Sequence, residues 1–312
     1  MSECGFFMEC IFLKIPSVDM VTIECLNEAD LFHELYQVTG PLSEGGFGTI
    51  YSGFRRDDNF PIAIKQVKSH NTRRRAVWLN GNMTSVPSEV GLLIEVGAFF
   101  ADNLVTPEIV DWYEVSDQII IVLERPDPCM DLVDYVNSMD EVMTEEEAKL
   151  IFRQLVDAAL HIRACNVFHR DIKPENILIE TGHPKPRARF IDFGCGIRCD
   201  PDEILTEAQG TDIYLPPEYY MKYRYMPDST TVWQLGLVLY GMLNLRRAFA
   251  SVETICSSYE PPISAELTLS KKQIQNPSPN TILRFYLDCS YIETHRHRIV
   301  SVALCSLCNG LT

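Results

Sequence analysis

The sequence lacks any uninterrupted apolar run of the roughly 18 residues that a membrane-spanning helix needs, so no membrane partner is predicted. It also lacks a good secretory signal. Glu3 and Glu9 place acidic groups in and beside the short apolar stretch from Cys4 to Leu13, where a signal peptide requires basic and apolar residues. Internal repeats and low-complexity tracts are absent too.

Positive charge is the second shortage. The chain has 27 Lys and Arg residues against 43 Asp and Glu residues, a net charge of −16 at pH 7. Because such a chain repels a phosphate backbone, nucleic acid is not predicted as a partner, and positively charged partners are favoured. We interpret Arg73, Arg74 and Arg75 as a solvated loop. The chain is still 46% hydrophobic over 312 residues, enough for a sizeable core.

The 11 cysteines are odd in number and widely scattered, which does not indicate a disulfide framework. Reduced thiols predict a cytoplasmic location, with the nucleus as a second compartment. Cys305 and Cys308 form the single close pair, but no second pair or ligand cluster accompanies them, so no zinc site is predicted.

Hydrophobic patterning changes along the chain. Residues 62–67 and 118–123 read as strands, with a helix candidate from Val90 to Phe100 between them. After residue 140 the spacing becomes helical: Thr144 opens a capping box, and apolar residues follow at intervals of three and four. A second apolar helix is expected from Val232 to Leu243. Two lobes of different class are therefore predicted, with a ligand cleft between them and a proline-stiffened hinge at 124–128.

Four motifs follow one another in a fixed order. They are a glycine-rich turn, Gly-Gly-Phe-Gly at 45–48; a strand at 62–65 ending in lysine; His-Arg-Asp-Ile-Lys-Pro-Glu-Asn at 169–176; and Asp-Phe-Gly at 192–194. One motif alone would indicate no more than a hairpin or an ion pair. All four together resemble the protein-kinase signature set. The resemblance implies an α+β, bilobal protein-kinase-like fold, with a β-rich N-lobe containing one main helix and a helical C-lobe.

Further segments narrow the resemblance. The stretches at 45–53, 86–89, 123–128 and 210–218 are similar to those of the Pim family of Ser/Thr kinases, over roughly residues 35 to 247. The implied function is transfer of the γ-phosphoryl group of ATP, with Mg²⁺, to Ser or Thr of protein substrates by a non-specific serine/threonine protein kinase. The implied divisions are an N-terminal extension over 1–34, an N-lobe over 35–123, the hinge over 124–128, the catalytic half of the C-lobe over 129–249 and a divergent C-terminal part over 250–312.

The resemblance assigns a role to each motif residue. Lys65 would hold the α- and β-phosphates and Glu89 would fix the lysine, while Asp171 would orient or deprotonate the substrate hydroxyl. Lys173 would neutralise the transferring phosphoryl group. Magnesium, a hard cation that prefers oxygen ligands, would bind Asn176 and Asp192. The expected nucleotide contacts are Ser43, Gly45, Gly46, Phe47, Gly48, Ile50, Ala63, Lys65, Leu123, Glu124, Pro126 and Asp131.

Two of these contacts depart from the general kinase pattern. Pro126 has no N–H to offer adenine, which leaves the carbonyl of Glu124 as the expected backbone contact, with Leu123 as gatekeeper and Ala63 above the ring. Ser43 stands where the first glycine of the loop is expected, so we predict weaker nucleotide binding.

Pim-like kinases prefer arginines before the target Ser or Thr, and the matching acids here are Asp131, Asp134 and Glu175. For Asp134 a merely solvated acid is an equal alternative. A monomer is expected, active without phosphorylation of Thr206. The activation segment is the loop between Asp192 and Glu218, and we predict that one of its acids pairs with a basic residue such as Arg170 or Arg198 in place of a phosphate. The candidate acids are Asp200, Asp202, Glu203 and Glu207.

The C-terminal part, residues 250–312, provides the main argument against the prediction that the protein is an active enzyme. After Phe249 the sequence no longer resembles the Pim family. In kinases an arginine from this region pairs with the glutamate that corresponds to Glu218, and the same pairing is expected here. A buried carboxylate without that partner would cost about 3–5 kcal/mol of stability. The alternative function is therefore a non-catalytic, kinase-like scaffold or binding module. The candidate partners of Glu218 are Arg284, Arg296 and Arg298.

Overall fold

A computed structural model describes residues 27–45, 48–79, 81–97, 105–139 and 143–257, which form two compact units. The first unit contains the described residues up to Gly97 and from Pro107 to Pro126; the second contains residues 105–106 and those from Asp127 onward. The division after Pro126 falls within the 124–128 segment. One unit is β-rich and the other helical, which confirms the bilobal α+β class.

The described residues of the first unit contain seven strands, five of them in one antiparallel sheet with the order β1-β2-β3-β7-β6 and two in a separate hairpin. The predicted strands at 62–67 and 118–123 are confirmed as β3 and β7, each slightly longer than its pattern. The strands are β1 Tyr36–Gly45, β2 Gly48–Arg55, β3 Pro61–Lys68, β4 Arg74–Leu79, β5 Asn82–Pro87, β6 Ile109–Val115 and β7 Gln118–Glu124.

Helix α1, Glu28–Leu35, belongs to this unit although the N-lobe was expected to begin at residue 35. Asn27 caps the helix, because its side-chain oxygen accepts a hydrogen bond of 3.0 Å from the Asp30 backbone N–H. On its inner side Phe32 is buried against Tyr36 and Tyr113. The folded unit therefore starts before the first kinase motif.

The β4–β5 hairpin corrects the interpretation of the arginine run as a solvated loop. Arg74 and Arg75 lie on β4, where Arg74 pairs with Glu114 at 2.7 Å and Arg75 with Glu95 at 2.8 Å. Helix α2, Ser88–Gly97, follows β5 directly and confirms the helix predicted from Val90; residues 98–100 of that prediction lie outside the described residues.

Helices dominate the second unit, and those described are α3 Leu132–Asn137, α4 Glu145–Ala164, α5 Pro217–Lys222, α6 Pro227–Asn244 and α7 Val252–Cys256. Helix α4 confirms the predicted cap, since the Thr144 hydroxyl accepts from the Glu147 N–H at 3.2 Å. The Glu147 carboxylate accepts from Tyr135. The apolar stripe of α4 is buried, and α4 packs against α6. None of the described helices is long and apolar enough to cross a membrane.

Five short strands of the second unit form two small antiparallel sheets. The strands are β8 Cys129–Asp131, β9 Val167–Phe168, β10 Ile177–Glu180, β11 Arg187–Phe190 and β12 Ile197–Arg198, with β10 between β8 and β11 and with β9 paired to β12. Because β10 and β11 are antiparallel, the hairpin brings the chain after β11 back beside its own start. The Ile191 N–H donates to the Asn176 carbonyl at 3.0 Å.

The beginning of the C-terminal part packs on α6. The Phe249 ring stacks on Trp233 with 5.6 Å between ring centroids, and Ile255 of α7 is buried in the same cluster. Glu218 accepts from the Ser229 hydroxyl at 3.4 Å. The candidate partners Arg284, Arg296 and Arg298 lie outside the described residues.

Candidate active site

In the first unit, one row of paired residues crosses the sheet from the glycine-rich turn to the motif lysine. Ser43 pairs with Ile50 across β1 and β2, and Ile50 pairs with Lys65 across β2 and β3. Directly paired residues in a sheet point to the same face. The structure therefore brings these predicted contacts together, whereas Gly46 and Phe47 lie outside the described residues.

Gly48 is a position where the turn needs glycine. Its φ is +128°, and a side chain would place Cβ 2.2 Å from the Gln66 carbonyl oxygen. The close approach of β2 to β3 beside the glycine-rich turn thus depends on the absence of a side chain. Gly45 pairs directly with Gly48 at the end of the hairpin.

Lys65 and Glu89 form a buried ion pair. The lysine Nζ lies 2.7 Å from one carboxylate oxygen and 2.9 Å from the other, and the residues are only 4% and 7% exposed. Glu89 is the second residue of α2, so the start of that helix places the carboxylate over β3. The pairing expected from the motifs is present, with the ammonium held by both oxygens.

The predicted adenine contacts lie on neighbouring strands. Ala63 of β3 pairs directly with Leu123 of β7, and Ile62 pairs with Glu124. The Glu124 N–H donates to the Glu108 carbonyl at 2.8 Å, and the Arg125 N–H donates to Pro61 at 3.1 Å. The N–H groups of Glu124 and Arg125 are therefore already bonded, and Pro126 has no N–H. A backbone carbonyl of this segment is the group that could bond adenine.

In the second unit, the Asp171 carboxylate is the centre of the catalytic motif and is only 2% exposed. Its Oδ1 accepts from the Thr211 N–H at 2.8 Å, and its Oδ2 lies 2.9 Å from Lys173 Nζ and 3.0 Å from Asn176 Nδ2. Lys173 also donates to the Thr211 hydroxyl at 2.8 Å. Asp171, Lys173 and Asn176 are thus brought together as predicted.

Three residues near Asp171 hold its backbone. Arg170 has a φ of +69°, a strained conformation for a residue with a side chain. Gly210 approaches it so closely that a Cβ would lie 2.6 Å from the Arg170 carbonyl oxygen. Gln234 of α6 donates to the same oxygen at 2.8 Å. The Gln234 contact was missed from the sequence, although a glutamine on an otherwise apolar helix was a visible signal.

His169 is fully enclosed and neutral. Its Nε2 lies 3.0 Å from the Ile191 carbonyl, which can only accept, and its Nδ1 accepts from the Asp171 N–H at 3.3 Å. Burial lowers the pKa of His169 below its ordinary value, in spite of the opposing effect of Asp192. The histidine is therefore a structural link between the two catalytic motifs.

Asp192 and Asn176 fit a magnesium ion by their chemistry. Asn176 donates through Nδ2 to the Asp171 carbonyl at 2.8 Å, which leaves Oδ1 as its ligating atom. Asp192 has a φ of +63°, and its Oδ1 accepts from the Gly194 N–H at 3.1 Å. The described residues contain no group of three or more His, Cys, Asp and Glu suited to a metal.

The three predicted substrate acids interact with one another. Asp131 caps α3 by accepting from the Asp134 N–H at 2.8 Å. Burial raises the pKa of Asp131, and the charges of Asp134 and Glu175 add to the rise. The short turn Pro174–Asn176, which carries Glu175, packs against β8 and α3, the elements that carry Asp131 and Asp134. Glu175 also forms a partly exposed ion pair with Arg247, with 3.4 Å between the guanidinium nitrogen and the carboxylate oxygen.

The activation segment is anchored by Tyr225, which is 1% exposed. Backbone bonds of 2.9 Å join Tyr225 and Leu205 in both directions, and the phenol donates to the Glu207 carbonyl at 2.8 Å. Arg170 donates to the Cys195 carbonyl. The pairing of an activation-segment acid with a basic residue such as Arg170 or Arg198 stays a prediction.

The two units together define a protein kinase domain: a lysine held by a helix glutamate, an aspartate held by lysine and asparagine, and an Asp-Phe-Gly turn. The chain matches the family model described as protein kinase domain over residues 36–299, so it belongs to that family. The matched region extends beyond Phe249, after which the sequence no longer resembles the Pim family. Family membership implies ATP and a divalent metal, typically Mg²⁺, and protein substrates.

Several curated relatives are Ser/Thr kinases, which makes this a Ser/Thr protein kinase domain. The chain is 32% identical over 239 residues to serine/threonine-protein kinase pim-2 of Danio rerio, covering 74% of this chain and 75% of the relative. It is 32% identical over 248 residues to serine/threonine-protein kinase prk-2 of Caenorhabditis elegans, covering 76% and 53%. The match to the PAS domain-containing serine/threonine-protein kinase of Mus musculus is 26% over 247 residues, covering 78% and 17%. The chain thus spans about half the length of the nematode protein.

Proposed function

We propose that this chain is an active, Pim-type Ser/Thr kinase that phosphorylates Ser or Thr in arginine-rich proteins. The observation that carries the proposal is the Asp171 carboxylate, held on both oxygens by Thr211, Lys173 and Asn176. A degenerate kinase used only as a scaffold has no need for this arrangement. The buried Lys65–Glu89 pair supports the same conclusion.

The proposed mechanism divides the work between the units. Lys65, fixed by Glu89, would hold the α- and β-phosphates of ATP, and Asn176 and Asp192 would hold Mg²⁺. When bound, the nucleotide would supply the phosphoryl group and the metal would screen its negative charge. Asp171 accepts the hydrogen bond of the substrate hydroxyl and orients it for in-line attack. Lys173 stabilises negative charge on the transferring group.

Substrate preference is proposed to come from charge. Asp131, Asp134 and Glu175 form an acidic cluster in a chain of net charge −16, and carboxylates bind arginine by charge-assisted hydrogen bonds. Asp134 is exposed and free of the capping role that Asp131 has, which suits it to this contact. A peptide with arginines before its Ser is the proposed acceptor.

The hydrogen bonds of Tyr225 support the proposal that the kinase is active without phosphorylation of its activation segment. The bonds from Tyr225 to Leu205 and Glu207 fix the chain on both sides of Thr206, whose side chain is exposed. A segment that is already ordered by hydrogen bonds has less need of a phosphate to order it. A monomeric state and a cytoplasmic or nuclear location complete the proposal.

The test is a phosphoryl-transfer assay with labelled ATP, Mg²⁺ and two peptides that differ only in Arg or Glu before the Ser. We expect the wild type to label the arginine peptide. Lys65→Met and Asp192→Asn should be slower by about a hundredfold or more. Lys68→Met, the same change at an exposed site on β3, is the matched control and should retain wild-type activity. Equal labelling by all proteins, or none by any, would support the scaffold alternative.

A further inference from the structure

The side chain of Gln234 contacts both sides of the catalytic aspartate. Its Nε2 donates to the Arg170 carbonyl at 2.8 Å, and its Oε1 accepts from the Ile172 N–H at 3.1 Å. Asp171 is the single residue between these two bonded backbone groups. A third, longer contact of 3.4 Å joins Nε2 to the Tyr214 carbonyl.

Burial and backbone strain make these hydrogen bonds important for the conformation of the backbone around Asp171. Gln234 is 0% exposed, so water cannot replace the amide, and a lost bond would leave a buried backbone group unsatisfied. The Arg170 backbone is held at a φ of +69°, a conformation that persists only when neighbouring groups impose it. Gly210 limits movement of the same carbonyl from another side.

A neighbouring residue on α6 does not share this role. Thr231 stands where most kinases carry an aspartate, but its hydroxyl donates to the Pro227 carbonyl of its own helix at 2.9 Å. Gln234, one turn later, reaches the catalytic segment instead.

We infer that Gln234 is a positioning residue for catalysis, whose amide fixes the peptide groups before and after Asp171 and so aims its carboxylate at the substrate hydroxyl. This inference rests on the proposed phosphoryl-transfer activity. Because Gln234 acts through backbone, its loss should lower kcat and leave the KM for ATP unchanged. A displacement of the order of 1 Å at a catalytic group can cost about a hundredfold in rate.

The test compares Gln234→Met with Gln154→Met, since methionine keeps the length of glutamine and removes its amide. Gln154 is a matched control: its amide bonds the Leu150, Pro186 and Ala188 backbone in the same unit but away from Asp171. We expect kcat to fall between about tenfold and a hundredfold in Gln234→Met, with the KM for ATP within twofold of wild type. Gln154→Met should keep wild-type kcat even if it is equally destabilised.

A second variant tests the donor separately. Gln234→Glu keeps an acceptor for the Ile172 N–H but donates to the Arg170 carbonyl only when its carboxyl is protonated. Burial raises a carboxyl pKa. We therefore expect the kcat of Gln234→Glu, relative to wild type, to rise as pH falls from about 8 to 6, with no such rise in Gln234→Met.

Hydrogen exchange at the Ile172 amide keeps the outcome independent of activity. In Gln234→Met the Ile172 N–H should exchange at least about tenfold faster than in wild type or Gln154→Met. Wild-type kcat in Gln234→Met, an equal loss in Gln154→Met, or unchanged Ile172 exchange would each overturn the inference. An inactive wild type would overturn the proposed function, and Ile172 exchange would still decide the role of Gln234.

Discussion

The Lys65–Glu89 pair shows how one buried contact serves both stability and chemistry. Both side chains are removed from water, which is costly for charges unless each satisfies the other. Replacing such a pair by apolar residues is often neutral for folding, whereas removal of one partner leaves an uncompensated charge. The proposed phosphate-binding role therefore explains the pair better than stability does.

We predict that Lys65→Met lowers the free energy of unfolding by about 3–5 kcal/mol, because it removes the ammonium partner of the buried Glu89 carboxylate. Adding Glu89→Leu should restore most of the stability without restoring phosphoryl transfer. Urea unfolding of the two single variants and the double variant, with activity measured on each, provides the double-mutant cycle.

Lys68→Met, on the same strand, should change stability by less than about 1 kcal/mol. A stable Lys65→Met variant, or a double variant as unstable as the single one, would show that the pair is not the buried unit described above.

At the scale of elements, Tyr225 anchors the part of the activation segment around Thr206. Leu205 and Tyr225 form an isolated β-bridge, and the Tyr225 ring packs beside Phe168 and Tyr219. These contacts hold the chain next to Thr206, whose own side chain is exposed.

We predict that Thr206→Ala retains activity within about twofold, because no bond of the anchor uses its side chain. Tyr225→Phe removes the phenol that donates to Glu207, a bond worth about 1 kcal/mol, and should slow transfer about fivefold while making the segment easier to cleave by protease. Tyr223→Phe, at a 73% exposed ring, is the matched control.

The measurements are initial rates and limited proteolysis on protein made in bacteria, with mass spectrometry to show that Thr206 is unmodified. If that protein had no activity until Thr206 was phosphorylated, the proposed independence from phosphorylation would be wrong.

The elements that sequence patterning predicted are those with strong, local signals. Strands β3 and β7 are dense in Ile and Val, and α4 combines a threonine cap with a regular apolar stripe. The β4–β5 hairpin was missed because Arg74 and Arg75 are adjacent and read as a charged loop, and the buried positions Val77 and Leu79 alternate with exposed residues only after them. The Gln234 contact spans more than 60 positions, and no local pattern encodes its partner.

For the whole molecule, the net charge of −16 acts through its local arrangement. In the first unit Arg74 and Arg75 are paired with glutamates, and in the second unit the elements that carry Asp131, Asp134 and Glu175 pack together. The acidic field near this cluster should attract basic peptides and should be screened by salt over a Debye length of about 8 Å at physiological ionic strength.

We predict that raising salt increases the KM for an arginine peptide and leaves the KM of a neutral peptide nearly constant. Combined Asp134→Asn and Glu175→Gln should raise the arginine-peptide KM roughly three- to tenfold and flatten its salt dependence. The control is Asp57→Asn with Asp117→Asn, which removes two exposed carboxylates from the first unit. An equal rise of KM in the control would assign the effect to net charge alone.

Asp131 limits how the proposed peptide preference could be changed by engineering. Its carboxylate caps the first turn of α3, so a substitution by a residue that cannot accept the Asp134 N–H bond would also weaken the start of that helix. Neither Asp134 nor Glu175 caps this helix. We therefore expect a new substrate preference to be reached by exchanging those two acids, whereas Asp131 can be exchanged only for another capping residue such as Asn or Ser.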